Sequence, residues 1–157
     1  MPTTHTEKER SELHRRVGER LSEDDHRYTT SRQRLVDALA DSTRPLTLPD
    51  ITKIAPDLAA SSVYRNLEML ERAGVVRRIN SGGNHAHFEL AEPLISHHHH
   101  LVCTDCGGIT DIHLKDELEQ TLVEALNAIA QTHGFKPQDH NLDLHGACAL
   151  CNEHKPA

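Results

Sequence analysis

The sequence predicts an α+β fold in two modules, a helical one followed by a small α/β one. Three observations carry this. Helical periodicity gives way to two strand-like runs around a glycine turn, "AEPLIS" then breaks the pattern with Pro93, and two CxxC pairs bracket the remainder. The expected division is residues 1–90, a hinge at 91–96, and residues 97–157. Only 36% of the 157 residues are hydrophobic, 3% are aromatic and none is Trp. Each module therefore has a limited core, and a metal staple or an oligomer interface is the expected supplement.

In "TEKERSELHRRVGERLSEDD", Leu13, Val17 and Leu21 recur every four residues, which predicts a surface helix with a narrow apolar stripe or, failing that, a partly ordered arm. Thr29, Thr30 and Ser31 are capping residues before Leu35, Ala38 and Leu39, predicting a helix near 31–41. A short third helix has Thr47 as N-cap, Pro49 in its first turn, Ile51 and Ile54 inward, and Pro56 as its stop. A fourth carries Val63, Leu67 and Leu70 on one face and ends at Gly74. "VVRRIN", "SGGN" and "HAHFEL" complete a helix, helix, helix, hairpin order. That is the order of a winged helix-turn-helix, in which the last helix enters the major groove; a plain bundle with an appended hairpin has it too. Beyond the hinge, "HHLVCTDCGGITDI" reads as two strands around a CxxC turn. A helix with Leu118, Leu122, Ala125 and Ile129 on one face follows, then a strand through Leu142 and Leu144. So short a sheet is well completed by pairing with a second chain.

No stretch approaches the roughly 18 apolar residues of a membrane span, and "MPTTHTEKER" lacks the apolar core of a secretory signal. A cytoplasmic protein without a membrane partner is expected. The net charge of -7 argues against nucleic acid, but its distribution does not: residues 1–80 hold 14 Lys and Arg against 13 Asp and Glu, while residues 81–157 hold 3 against 11. Bound divalent metal would offset the acidic half.

Cys103, Cys106, Cys148 and Cys151 form two CxxC pairs with 41 residues between them. In a reducing compartment four thiolates on two turns are the ligand set of a tetrahedral, closed, structural Zn²⁺; a redox pair or free thiols are the alternatives. "HHHH", residues 97–100, runs directly into the first pair. If a strand begins here, alternation sends His98 and His100 to one face and His97 and His99 to the other. The first two, with Glu89, His85 and His87 across the hinge, can clamp the wing against the second module, while the other two look toward the helix or His140. The alternative is a solvated polyhistidine edge.

These segments together resemble the ferric uptake regulator family of bacterial metal-dependent repressors over nearly the whole chain. "SSVYRNLEMLERAGVVRRI" is similar to its DNA-reading helix and wing, "FEL" with "HHHHLVCTDCGGITDI" to its metal signature, and "HGACALC" to its terminal cysteine pair. The resemblance implies an N-terminal winged helix-turn-helix DNA-binding domain, a small C-terminal α/β dimerisation domain, and a homodimer carrying a four-cysteine zinc. It also implies a regulatory site at Glu89, His98 and His100, with Asp111 where some members have a carboxylate. An additional site falls on His97, His99, Glu119 and His140, and DNA contacts on Ser61, Ser62, Tyr64 and Arg65. Arg32, Arg34, Arg77 and Arg78 are available for phosphates.

The chain departs from the family pattern in several places. Pro45 stands near the position where many iron-type members have a histidine, leaving His85 and His87 to replace it. The hinge is longer, His99 replaces a frequent Asp, and one extra residue follows Cys106. A nitrogen-rich site favours Zn²⁺ over Fe²⁺ as the regulatory ion. The expected function is a zinc-sensing, non-enzymatic repressor acting on a palindromic double-stranded operator. The rivals are an iron or peroxide sensor of the same family and a metal-buffering protein. A zinc hydrolase is disfavoured, since the chain has no HExxH, HxHxD, or HxE with PCxxC.

Overall fold

The computed structural model describes residues 6–82 and 85–153. Helix α1 (Glu7–Glu23) opens with a capping box in which Thr6 Oγ1 accepts from Glu9 N–H and the Glu9 carboxylate accepts from Thr6 N–H. It buries Leu13, Val17 and Leu21, the stripe read from the sequence. Helix α2 (Thr30–Ala40) follows Thr29 and buries Leu35, Val36 and Leu39. Strand β1 (Leu46–Thr47) leads into α3 (Leu48–Ile54), capped reciprocally by Thr47 and Asp50 with Pro49 in the first turn.

Helix α4 (Ala60–Arg72) sets Val63, Leu67 and Leu70 against α2 and α3. It ends at Gly74, whose φ of +65° is open to glycine at no steric cost. Arg20 on α1 donates to the Gly74 carbonyl at 2.6 Å and so ties the helix end to the N-terminal helix. Strands β2 (Val76–Ile79) and β3 (His87–Leu90) form the expected hairpin, and β1 adds to it in the order β1-β3-β2. Residues 83 and 84 of the expected turn lie outside the described residues. One core joins all of this, with Val36, Ile51, Leu67, Val75, Phe88 and Leu90 among its members.

Ile54 departs from expectation. It is 53% exposed, and the inward partner of Ile51 is Ala55, at 2%. Four residues fall closer to one helical face than three, and a seven-residue helix has no further turn to bring Ile54 round.

The hinge contains a 3-10 turn, Glu92–Leu94, and Arg16 of α1 donates to the Pro93 carbonyl. Strand β4 (His99–Cys103) is central in the second sheet. It pairs antiparallel with β5 (Ile109–Ile112) and parallel with β6 (Asp143–Gly146), and α5 (Asp116–Thr132) makes the crossover between them. Helix α6 (Ala149–Glu153) ends the described chain. Among the described residues, the buried apolar cluster here consists of Val102 and Ile109 with Ile79 of β2. On α5, Leu118 and Ile129 are more than half exposed, as are Phe135 beyond it and Leu144 on β6. A single chain leaves this apolar face uncovered. Among the described residues, no helix is long and apolar enough to cross a membrane.

Candidate metal centres and DNA-reading face

The register of the two sheets assembles the first group of donors. Arg77 on β2 stands opposite Glu89 on β3, while His100 on β4 stands opposite Asp111 on β5 and Asp143 on β6. Alternation along the β4 lead-in brings His98 to the side of His100. The donor atoms of Glu89, His98, His100 and Asp111 all lie within 4.8 Å of one another, and the first three residues are buried. Glu89 Oε2 is 3.1 Å from His98 Nε2 and 3.2 Å from His100 Nε2. Each ring is turned by its other nitrogen: His98 Nδ1 lies 3.0 Å from the Ser96 carbonyl and His100 Nδ1 lies 3.0 Å from Asp143 Oδ1. Both contacts engage Nδ1–H, so that loss of the Nε2 proton facing Glu89 would present the Nε2 lone pair to a cation.

Charge is balanced inside this group. Burial opposes ionisation of Glu89, yet hydrogen bonds from His100 and His98 and the charge of Arg77 hold its carboxyl at about 2. The Glu89 hydrogen bond pushes His98 up to about 9. Burial works against the His100 cation, but Glu89 and Asp143 raise its pKa all the same. Burial pushes the Asp111 carboxyl up; its Oδ1 has no hydrogen-bond partner and is 3.9 Å from His100 Nε2. A buried, unpartnered carboxylate oxygen beside two oriented imidazoles fits a divalent cation.

A second group lies on the opposite face of the β4 lead-in. His97, His99, Glu119 and His140 bring their donor atoms within 4.8 Å of one another. Glu119, in the first turn of α5, is 3.3 Å from His97 Nε2, 2.8 Å from His99 Nε2 and 2.9 Å from His140 Nε2. Glu119 Oε1 and the Nε2 atoms of His97 and His140 are buried and converge without hydrogen-bond alignment, as donors around a common ion do. His97 Nδ1 is 2.9 Å from Glu92 Oε2 in the hinge turn, which orients that ring.

The four thiols make the third group, again within 4.8 Å of one another. Gly107, with φ +73°, returns its N–H to the Cys103 carbonyl at 2.9 Å and closes the first CxxC turn. N–H groups of Cys106 and Cys148 aimed at Cys103 Sγ hold that thiol at about 6. Zinc bonds of about 2.3 Å place tetrahedral sulfurs about 3.8 Å apart; Cys106 and Cys148 Sγ are 3.9 Å apart.

The structure does not bring His85 or His87 to the first group. His85 is exposed, and His87 is buried beside Arg44 and Asp50, where burial pushes its imidazole down. On α4, Ser61, Tyr64 and Arg65 are exposed on the face opposite Val63 and Leu67, and Ser62 is half-buried. The four remaining arginines separate. Arg34 is paired with Asp57 and Arg32 with Asn66 and the Arg27 carbonyl; Arg78 is exposed on the wing, 5.9 Å above the Phe88 ring. Arg77 turns inward onto Glu89 and is not presented to a phosphate. Arg77, expected at a phosphate, instead pairs with Glu89, and Asp143, Ser96 and Glu92 beside the donor groups were not expected from the sequence. The Arg77–Glu89 pairing was accessible from counting the hairpin register, whereas the others depend on packing.

A winged-helix head joined to a small sheet dense in histidine and cysteine defines a metal-responsive DNA-binding regulator. The ferric uptake regulator family model matches residues 23–145. The ferric uptake regulation protein of Bacillus subtilis is 32% identical over 144 residues, covering 87% of this chain and 93% of its own. The peroxide operon regulator of the same organism is 30% identical over 86% of this chain and 90% of its own. Among solved structures, the Helicobacter pylori ferric uptake regulator superposes with a TM-score of 0.72 at 21% identity, over 99% of this chain and all of that one. The chain belongs to the ferric uptake regulator family, whose members are DNA-binding, dimeric transcription regulators that respond to metal and are not enzymes.

Proposed function

We propose that this chain is a cytoplasmic, zinc-sensing repressor of metal-uptake genes, with Glu89, His98, His100 and Asp111 as its regulatory site. The observation that carries the reading is the origin of those four donors. Glu89 belongs to the wing hairpin, while His98, His100 and Asp111 belong to the second module. Two imidazole nitrogens and two carboxylates match the number and type of ligands Zn²⁺ takes. Cys103, Cys106, Cys148 and Cys151 would hold a structural zinc, and His97, His99, Glu119 and His140 an additional ion.

At the hinge a divalent cation supplies charge and directional bonds shared between the wing and the second sheet. Glu89, already 3.1 and 3.2 Å from the His98 and His100 Nε2 atoms, would then hold β3 to β4 and narrow the range of head orientations. His100, fixed by Asp143, and His98, fixed by Ser96, set the direction in which Glu89 is held. In a dimer, two heads so restricted fit two half-sites of a palindromic operator. Binding need only favour that arrangement over the open one, and by linkage the operator then tightens metal binding. Tyr64 and Arg65 face the bases, with Ser61 and Ser62 beside them and Arg78 toward the phosphates.

A second reading, iron or peroxide sensing, draws on one observation: two of the four hinge donors are oxygens, which Fe²⁺ accepts well. The test titrates operator binding by cysteine-loaded dimer against Zn²⁺, Fe²⁺, Mn²⁺ and Ni²⁺ at buffered free concentrations and fixed salt. Activation by Zn²⁺ at the lowest free concentration is expected. Activation by Fe²⁺ alone overturns the zinc assignment, and metal binding without operator binding favours a buffering protein.

A further inference from the structure

Among the described residues, Arg77 is the one permanent cation within the hinge group. Its Nε and Nη2 both converge on a single oxygen of Glu89, Oε1, at 2.8 and 2.7 Å. The other oxygen, Oε2, faces Nε2 of His98 and of His100. The Arg77 guanidinium is held from behind as well, since Nη1 donates to Asn141 Oδ1 and lies 3.9 Å from Glu92 Oε1. Nη2 is 3.4 Å from both nitrogens of the His100 ring. The Glu89 carboxylate is therefore divided, one oxygen to arginine and one toward the histidines.

We infer that Arg77 is a positioning residue that restricts Glu89 to one-oxygen coordination of the hinge ion and thereby selects four-coordinate Zn²⁺ over ions that take five or six ligands. The inference rests on the hinge group being the regulatory site. A guanidinium neither ligates a cation nor loses its proton at any pH the protein meets, so Oε1 stays committed to it. Glu89 contributes Oε2 alone, beside two imidazoles and Asp111. Rotation of the carboxylate to offer both oxygens would break the charge-assisted hydrogen bond from Nε and the close ion pair with Nη2 in a buried place. Zn²⁺ has no need of the extra oxygen, whereas Mn²⁺ and Fe²⁺ favour fuller, oxygen-rich shells. The positive charge of Arg77 weakens every dication alike, and so raises the threshold without ranking the ions; the ranking comes from the number of oxygens.

The test uses full-length dimer with zinc at the cysteine site, in a His140→Ala background that disables the inner group, and Co²⁺ as an optical probe. With Arg77 present, Co²⁺ should give the intense visible band of tetrahedral geometry, lost in His98→Ala. Arg77→Leu and Arg77→Gln should weaken that band toward a five- or six-coordinate spectrum. They should also lower the ratio of Zn²⁺ to Mn²⁺ affinity on the order of tenfold, and Arg77→Lys should recover part of both. Unchanged band and ratio in a folded, dimeric Arg77→Leu or Arg77→Gln protein overturn the positioning role. Absence of any His98-dependent Co²⁺ band in the Arg77 protein overturns the hinge reading itself, and the inference falls with it.

Discussion

His100 meets a carboxylate on each neighbouring strand, and the two do different work. Asp143 bonds Nδ1 at 3.0 Å and fixes the tautomer, while Asp111 offers a buried oxygen on the Nε2 side. Asp143→Ala should therefore lower hinge-metal affinity by about 10- to 100-fold without removing a ligand; chelator competition measures this, and an unchanged affinity removes Asp143 from the site. Protons compete for the same ring atoms. His98 is raised to about 9, above an unfolded value near 6.5, so its bond to Glu89 stabilises the metal-free fold fully below about 6.5 and ceases to do so as pH rises through 9. Metal needs both rings neutral, so apparent hinge affinity should fall by at least about tenfold for each pH unit below 9, the raised His100 adding to the loss at lower pH. A flat profile between pH 6.5 and 8.5, measured with the inner group disabled, contradicts that coupling. The imidazoles and thiols were legible in the sequence because adjacency and CxxC spacing are local. Asp143 was not, because it reaches His100 only through a parallel pairing that follows a whole helix.

Helix α4 and helix α5 both show clean apolar stripes, yet only one is buried within the chain. Val63, Leu67 and Leu70 are fully buried, whereas Leu118 and Ile129 on α5 are more than half exposed. Periodicity reports that a face is apolar; it does not say whether the same chain covers it. Leu67→Ala should cost about 2–5 kcal/mol and lower the melting temperature of the head. Ile129→Asp should leave that melting almost unchanged while sedimentation shows monomer in place of dimer; a dimer that persists would put the interface elsewhere. Strand β1 escaped the sequence reading because two residues leave no period, and its existence follows from β3 having an open edge beside Leu46 and Thr47.

The molecule divides its stability unevenly. The head has a continuous apolar core, while at the second sheet the buried apolar cluster among the described residues is Val102 and Ile109 with Ile79 of the wing, and the tail is tied back by the Cys148 N–H to Cys103 Sγ. Cys148→Ser with Cys151→Ser should accordingly melt the β6 and α6 region and disperse the dimer, with the helical signal of the head retained in circular dichroism. Loss of all structure together would contradict the division. The charge asymmetry agrees with the same picture, since the more basic half holds the reading helix and the acidic half holds the metal groups.

The parallel pairing of β6 with β4 has one more effect. Asp143 opens β6, and the strand is pinned at its far end, where Thr104 N–H donates to the Gly146 carbonyl and Cys148 N–H to Cys103 Sγ. The orienting partner of His100 thus sits five residues from the thiols that secure the strand. On the proposed reading, an ion held by the four thiols would fix β6, and with it the Asp143 carboxylate that turns His100, so occupancy of the cysteine group would be felt at the hinge group.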